Sequence, residues 1–216
     1  MPPMIFRDRE DAGRQLAARL AHLKDQDPVV LGLPRGGVVV AEEIARSLDA
    51  PMDVLVVRKI GAPHQPELAL GAVTDSANPH VVLNDDIVRL VAPSREFIDR
   101  EIAEQVDELR RRETLYRGGR AAEPLKNRTV IVADDGIATG ATVRAGLQAL
   151  RRVGPRRLVL AVPVGPPDTL REIESEVDEL VYLYAPDDFR AVGVFYEKFD
   201  QTSDEQVIAL LDRALA

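Results

Sequence analysis

One stretch, Val130-Ile131-Val132-Ala133-Asp134-Asp135-Gly136-Ile137-Ala138-Thr139-Gly140-Ala141-Thr142, constrains this chain more than any other. Its apolar half suits a buried strand, which stops at two adjacent carboxylates, passes through a small flexible turn and reaches a Thr able to cap a following helix. Gly136 and Gly140 permit positive φ and close ligand approach, so successive backbone N–H groups can converge on an anion at the helix N-terminus. The hydroxyls of Thr139 and Thr142 add donors. No lysine lies in the turn, which excludes the loop form in which a lysine reaches the outer phosphates of a nucleoside triphosphate. Two carboxylates beside such a cradle would repel a polyphosphate unless they face hydroxyls or a cation. A phosphorylated sugar satisfies both halves, whereas an ordinary strand-to-helix turn with two solvated acids is the plainer alternative.

At 216 residues the chain suits one sizeable α/β domain, and its apolar content of 45% is enough for a real core. The net charge of −8, with dispersed basic residues, weighs against nucleic acid as a partner. There is no cysteine, so disulfides and thiolate metal sites are excluded. Three histidines without ligand-like spacing make a zinc site improbable. The N-terminus has no signal-like pattern and no apolar run reaches membrane-spanning length, so a cytoplasmic protein without membrane association is expected.

Asp8 caps an expected helix with Ala12, Leu16, Leu20 and Leu23 on one face. Val29 to Leu33 reads as a buried strand running into Pro34-Arg35-Gly36-Gly37 ahead of a helix carrying Val40, Ala41, Ile44, Ala45 and Leu48. This is a second anion-ready terminus: Arg35, Gly36 and Gly37 offer a charged fork and bare amides suited to diphosphate, or else an ordinary βα turn. Asp53 to Val57 reads as a strand ending in Arg58-Lys59, two cations where open α/β sheets bind ligands, with plain surface charge as the alternative. Strands Leu70 to Val73 and Val81 to Leu83, joined through Asn78-Pro79, suggest a small antiparallel insertion. Ser94 opens a long helix, after which Tyr116-Arg117-Gly118-Gly119-Arg120 reads as either a mobile basic loop or a linker. Further strand and helix segments give βαβ alternation and a doubly wound, mainly parallel sheet flanked by helices. The segment from Ala185 gathers Phe189, Phe195, Tyr196 and Phe199, and Ser203 with Gln206 forms a capping box for a terminal helix.

The Asp-Asp-Gly-Ile-Ala-Thr-Gly-Ala-Thr element, together with Leu-Pro-Arg-Gly-Gly and Arg-Lys-Ile-Gly, resembles the motifs of the type I phosphoribosyltransferases, most closely a bacterial group with no assured acceptor. The resemblance spans most of the chain. It implies one domain over residues 1–216, with a small hood from about 60–93 and a C-terminal segment 185–216. It also implies binding of 5-phosphoribosyl-1-diphosphate (PRPP) with Mg²⁺, transfer of the phosphoribosyl group to a nitrogenous base, and a place in nucleotide salvage. Carried over residue by residue, Asp134 and Asp135 take the catalytic positions that steady the ribose hydroxyls. Ala138, Thr139, Gly140, Ala141 and Thr142 take the 5′-phosphate. Pro34 to Gly37 corresponds to the pyrophosphate loop, often found with an unusual cis peptide, and Arg35, Gly36, Gly37, Arg58 and Lys59 take the diphosphate. Mg²⁺ is held mainly by PRPP and water near Asp134 and Asp135, with no direct protein ligand.

Pro-Asp-x-Phe in the C-terminal segment resembles the base-binding segment of hypoxanthine-guanine phosphoribosyltransferases, which puts Phe189 against the base, although such a cluster also suits a small core. Two departures stand out. Ala138 replaces an Asp that handles a ring proton, and no Lys stands near the end of the following strand, where Val162 takes the base-facing position. The acceptor is therefore not specified, and a PRPP-binding regulator without transferase activity is the rival reading. Self-association is left open.

Overall fold

The structure, a computed structural model, describes residues 5–74 and 79–214. In chain order the strands are β1 (Pro28–Gly32), β2 (Met52–Val54), β3 (Val57–Ala62), β4 (Gln65–Thr74), β5 (His80–Leu83), β6 (Thr129–Ala133), β7 (Arg157–Val164) and β8 (Glu179–Tyr184). The helices are α1 (Arg9–Leu20), α2 (Gly36–Leu48), α3 (Asp85–Val91), α4 (Arg95–Arg117), α5 (Ala141–Val153), α6 (Pro167–Glu174) and α7 (Asp204–Arg213). Five strands form a parallel sheet in the order β2-β1-β6-β7-β8, and β3-β4-β5 form a separate antiparallel sheet.

The buried runs of β1, β6 and β7 supply apolar residues to both faces because side chains alternate along a strand. Val30, Ile131 and Val159 face a core shared with α1, α2, α4 and α7. Their neighbours Val29, Leu31, Val130, Val132, Leu158 and Leu160 face α5 and α6 through Val143, Leu147, Leu150, Leu170 and Ile173. Helices on both faces leave the carboxyl edge of the sheet as the place where loops can meet a ligand. Among the described residues no helix is long and apolar enough to cross a membrane.

The expected helix caps at Asp8 and Ser94 and the capping box of Ser203 and Gln206 are present. Three expectations need correction. The strand expected over Asp53 to Val57 is two strands: β2 ends at Val54, and Val57 begins the antiparallel sheet, three residues before the expected start of the hood. Leu55 and Val56 are both buried, so an unbroken apolar run hides the point where the chain changes sheets. Arg58 and Lys59 accordingly lie inside β3, not at the end of a parallel strand.

The stretch Tyr116 to Arg120 is neither lid nor free linker. Tyr116 and Arg117 end α4, Gly118 closes it in the left-handed conformation, and Tyr116 is buried with its hydroxyl donating to Asp204 Oδ1 at 2.7 Å. Arg117 pairs with Asp53 and Arg120 with Asp212. The third correction concerns Thr142: it lies in the first turn of α5, whose N-cap is Gly140. The turn expected at Asn78 lies partly outside the described residues; the antiparallel pairing of β4 with β5 on either side of it is present.

Candidate active site

The signature loop is anchored on β7 and α6. Where β6 ends, the Asp134 amide donates to the Ala161 carbonyl at 3.3 Å and the Ile137 amide to the Val164 carbonyl at 3.0 Å. Ile137 is buried between these anchors, leaving Ala138 and Thr139 exposed. Thr169 Oγ1 donates to the Ala138 carbonyl at 2.9 Å and fixes the crest of the loop. Gly140, at φ 70°, is pressed against α6: a Cβ there would lie 2.8 Å from Ile173 Cδ1 and 2.9 Å from Thr169 Cγ2. No side chain caps α5, and the hydroxyls of Thr139 and Thr142 have no partner among the described residues. An uncapped helix start beside two free hydroxyls is suited to an anion.

The acid pair sits directly against the Pro34 to Gly37 loop. The Leu33 amide donates to the Ala133 carbonyl at 3.0 Å, which joins the ends of β1 and β6. Gly36 and Gly37 open α2, and a cis peptide links Pro34 to Arg35, as the resemblance implies. A Cβ on Gly37 would lie 2.7 Å from the Ala133 carbonyl oxygen and 2.8 Å from Asp134 Cα. These glycines therefore make room for the acids.

Asp134 Oδ1 accepts from the Asp135 amide at 2.9 Å. Burial, reinforced by the adjacent Asp135 carboxylate, pushes the Asp134 carboxyl well above its usual range. Asp135 Oδ2 accepts from Arg9 Nε at 2.7 Å, and the Asp135 carbonyl accepts from the Tyr196 hydroxyl at 2.6 Å. Burial raises the Tyr196 phenol, so it stays a donor.

Arg9, Tyr196 and Phe199 are site residues that the sequence reading did not single out. The N-terminal segment pairs with the segment after β8, with the Phe6 amide donating to the Phe195 carbonyl and the Glu197 amide to the Phe6 carbonyl, both at 2.8 Å. That pairing brings Arg9 over the Phe199 ring, 3.9 Å from its centroid, while Arg9 Nη1 donates to the Asp200 carbonyl at 2.7 Å. The aromatic content of the C-terminal segment was visible in the sequence. No local pattern links residue 9 to residue 135.

The remaining candidates separate. Arg35 Nη1 lies 3.9 Å from Asp204 Oδ1, toward α7. Arg58 Nε donates to Gln105 on α4 at 3.1 Å. Lys59, on the opposite face of the strand, lines a cavity of about 280 Å³ with Ala141 and Arg144 of α5, so the two cations do not act as a pair. Val162 is fully buried on the α5–α6 face and cannot touch a base, which corrects the position expected for it. Phe189 stacks on Phe195, with ring centroids 5.6 Å apart and planes at 22°, and keeps part of its surface open.

The family model for the phosphoribosyl transferase domain matches residues 5–199. Two curated relatives from Mycobacterium tuberculosis strains, each carrying the name "Putative phosphoribosyl transferase", are 52% identical over 213 residues, 97% of this chain and 47% of theirs. The chain thus spans about half the length of these relatives. The crystal structure of the protein TT1426 from Thermus thermophilus is 47% identical with a TM-score of 0.85, over 96% of this chain and 98% of that one.

Proposed function

The chain belongs to the phosphoribosyl transferase domain family, and from that premise we propose that it is a Mg²⁺-dependent transferase moving the 5-phosphoribosyl group of PRPP to a nitrogenous base with release of diphosphate. The observation that carries this reading is the contact of Gly36 and Gly37 with Asp135 and Asp134 at the carboxyl ends of β1 and β6. It brings a diphosphate-type loop against the acids that would receive a sugar. The α5 loop follows within the same turn.

In this reading the amides of Ala138 to Thr142 and the hydroxyls of Thr139 and Thr142 bind the 5′-phosphate, and the Asp135 carboxylate accepts from the ribose hydroxyls. Asp134, crowded by protein, completes the hydroxyl contact and fixes the Asp135 amide. Lys59 approaches from the antiparallel sheet, while the amides opening α2 face the diphosphate. Positive charge grows on the sugar as the bond to C1′ breaks, and the carboxylates stabilise it.

Among the described residues no group of three or more His, Cys, Asp or Glu could hold a metal ion. The two hard carboxylate donors fit a Mg²⁺ that arrives on the diphosphate and keeps much of its water. When bound, the ion would neutralise the departing diphosphate beside Asp134 and Asp135. Calorimetry with PRPP and Mg²⁺ tests the reading. Absence of heat, or unchanged binding after replacing both Asp134 and Asp135 by Ala, would refute it.

A second reading, a PRPP-binding regulator without transferase activity, is favoured by the base side of the site. Ala138 has no proton to exchange, Val162 is buried, and one face of Phe189 is already covered by Phe195. Incubation with PRPP and a panel of purine, pyrimidine and pyridine bases separates the two, because base-dependent diphosphate release excludes a purely regulatory role.

A further inference from the structure

We propose that Arg9 is the positioning residue of the sugar site, holding one oxygen of the Asp135 carboxylate so that the other is presented to the ribose hydroxyls. This inference rests on the PRPP reading and names a residue that reading does not use.

The geometry has three parts. Arg9 Nε binds Asp135 Oδ2 at 2.7 Å, while Asp135 Oδ1 receives no cation or backbone amide among the described residues. A carboxylate anchored through one oxygen has lost its rotational freedom and keeps its second acceptor at a fixed angle. The guanidinium is itself immobilised: its Cζ lies over the Phe199 ring and its Nη1 is bonded to the Asp200 carbonyl. Finally, the pair is shielded, with side-chain exposures of 12% for Arg9 and 16% for Asp135, so it is not a loose surface ion pair.

A lysine could not reproduce this arrangement. Its ammonium is a single point charge without a planar fork, so it cannot stack on Phe199 while donating in two fixed directions. Arg9 Nε also lies where a Cβ on Gly36 would be only 2.7 Å away, at the start of the loop proposed for diphosphate. The first turn of α1 and the segment after Tyr196 are thereby joined to the acid pair through one side chain. Sugar recognition then depends on the start of α1 being docked against the segment that follows Tyr196.

The alternative is that Arg9 is only a latch between terminal segments. A double-mutant cycle distinguishes the two roles. PRPP affinity in the presence of Mg²⁺ is measured by calorimetry for wild type, Arg9→Lys, Arg9→Gln, Asp135→Asn and the Arg9→Gln/Asp135→Asn double variant, with thermal melts of each unliganded protein. The expected result is at least about tenfold weaker binding for Arg9→Lys and for Arg9→Gln, with a double variant no weaker than the weaker single one. Should Arg9→Gln fail to fold, Arg9→Lys combined with Asp135→Asn completes the cycle.

Wild-type binding with unchanged affinity in the Arg9 variants overturns the inference alone. So does a double variant whose losses are the product of the two single losses, since that is the signature of an independent latch. A wild type that gives no heat with PRPP overturns both the functional reading and the inference built on it.

Discussion

Gly36 and Asp135 compete for the same space: a methyl group on Gly36 would overlap Asp135 Oδ2 and come within 2.7 Å of Arg9 Nε. The requirement is steric, since Gly36 opens α2 without a left-handed φ. Gly36→Ala must therefore displace the carboxylate or the helix start. We expect PRPP binding to fall at least about tenfold and stability to fall by about 1–3 kcal/mol, the usual range for overpacking. Gly118→Ala is the matching control, because Gly118 sits at φ 59° with nothing within 4 Å. It should cost about 1 kcal/mol through backbone strain and leave binding unchanged. Calorimetry and urea unfolding of both variants check the contrast; equal binding in the two would mean that Asp135 is not confined as described.

The Asp53–Arg117 pair replaces the lid or linker expected at the end of α4. Arg117 Nε donates to both carboxylate oxygens of Asp53, at 2.9 and 3.1 Å, and Arg117 Nη2 reaches the Val54 carbonyl at 3.3 Å. The Glu123 amide completes the shell of Asp53 at 3.1 Å. With side-chain exposures of 8% and 18%, removing one partner strands a shielded charge. Arg117→Met should destabilise the protein by about 3 kcal/mol or more, and Arg117→Met with Asp53→Asn should recover part of that, because the amide removes the stranded charge while its oxygen still accepts a backbone N–H. Urea midpoints at neutral pH decide it: a double variant less stable than the Arg117 variant would contradict this account.

The parallel sheet and the two glycine-bearing loops at its carboxyl edge were legible in the sequence for a physical reason. A strand buried on both faces must be a continuous apolar run, and the turn residues that end it gather at the carboxyl edge of the sheet. The same property concealed the switch after Val54, because Leu55 and Val56 are buried in a different setting and no Gly or Pro breaks the run. Lys59 was singled out by its position after that run, but its separation from Arg58 depends on the strand's alternation, which only the sheet assignment reveals. Arg9 could not be found at all. Its place beside Asp135 is created by the pairing of Phe6 with Tyr196, a contact between distant segments that leaves no local periodicity.

Tyr116 gives the protein an alkaline limit whose sign follows from linkage. Burial, aided by the hydrogen bond to Asp204, pushes its phenol from 10.0 up to about 12. Between these values the unfolded chain loses this proton while the folded chain keeps it, so the unfolded state binds fewer protons and stability falls as pH rises. The contribution is complete below about pH 10 and is lost on the way to about pH 12. Tyr116→Phe should lose about 1 kcal/mol at neutral pH from the missing hydrogen bond, yet show a flatter decline across the alkaline window. Urea unfolding at a series of pH values tests this, and parallel profiles for the two proteins would rule it out.

At Asp134 the proposed contact with the sugar opposes stability. Burial and the neighbouring Asp135 raise its folded-state pKa well above the ordinary value of 3.8, so an ionised Asp134 is disfavoured in the folded protein. By linkage, its contribution to stability is complete below that ordinary value and is lost as pH rises through the raised folded value. Asp134→Asn has nearly the same shape, keeps an oxygen able to accept from the Asp135 amide, and never carries the charge. At neutral pH the variant should therefore melt higher than wild type, with each kcal/mol gained worth roughly 2–4 °C in a chain of this size. The difference should shrink in acid, where wild-type Asp134 is protonated as well. PRPP binding should nevertheless weaken by at least about tenfold, because an amide presents one acceptor where the sugar hydroxyls meet a carboxylic group able to ionise on binding. Thermal melts at neutral and acid pH, together with calorimetry, check both halves. A variant destabilised equally at the two pH values would mean that the carboxyl of Asp134 is not held in a site that disfavours its charge.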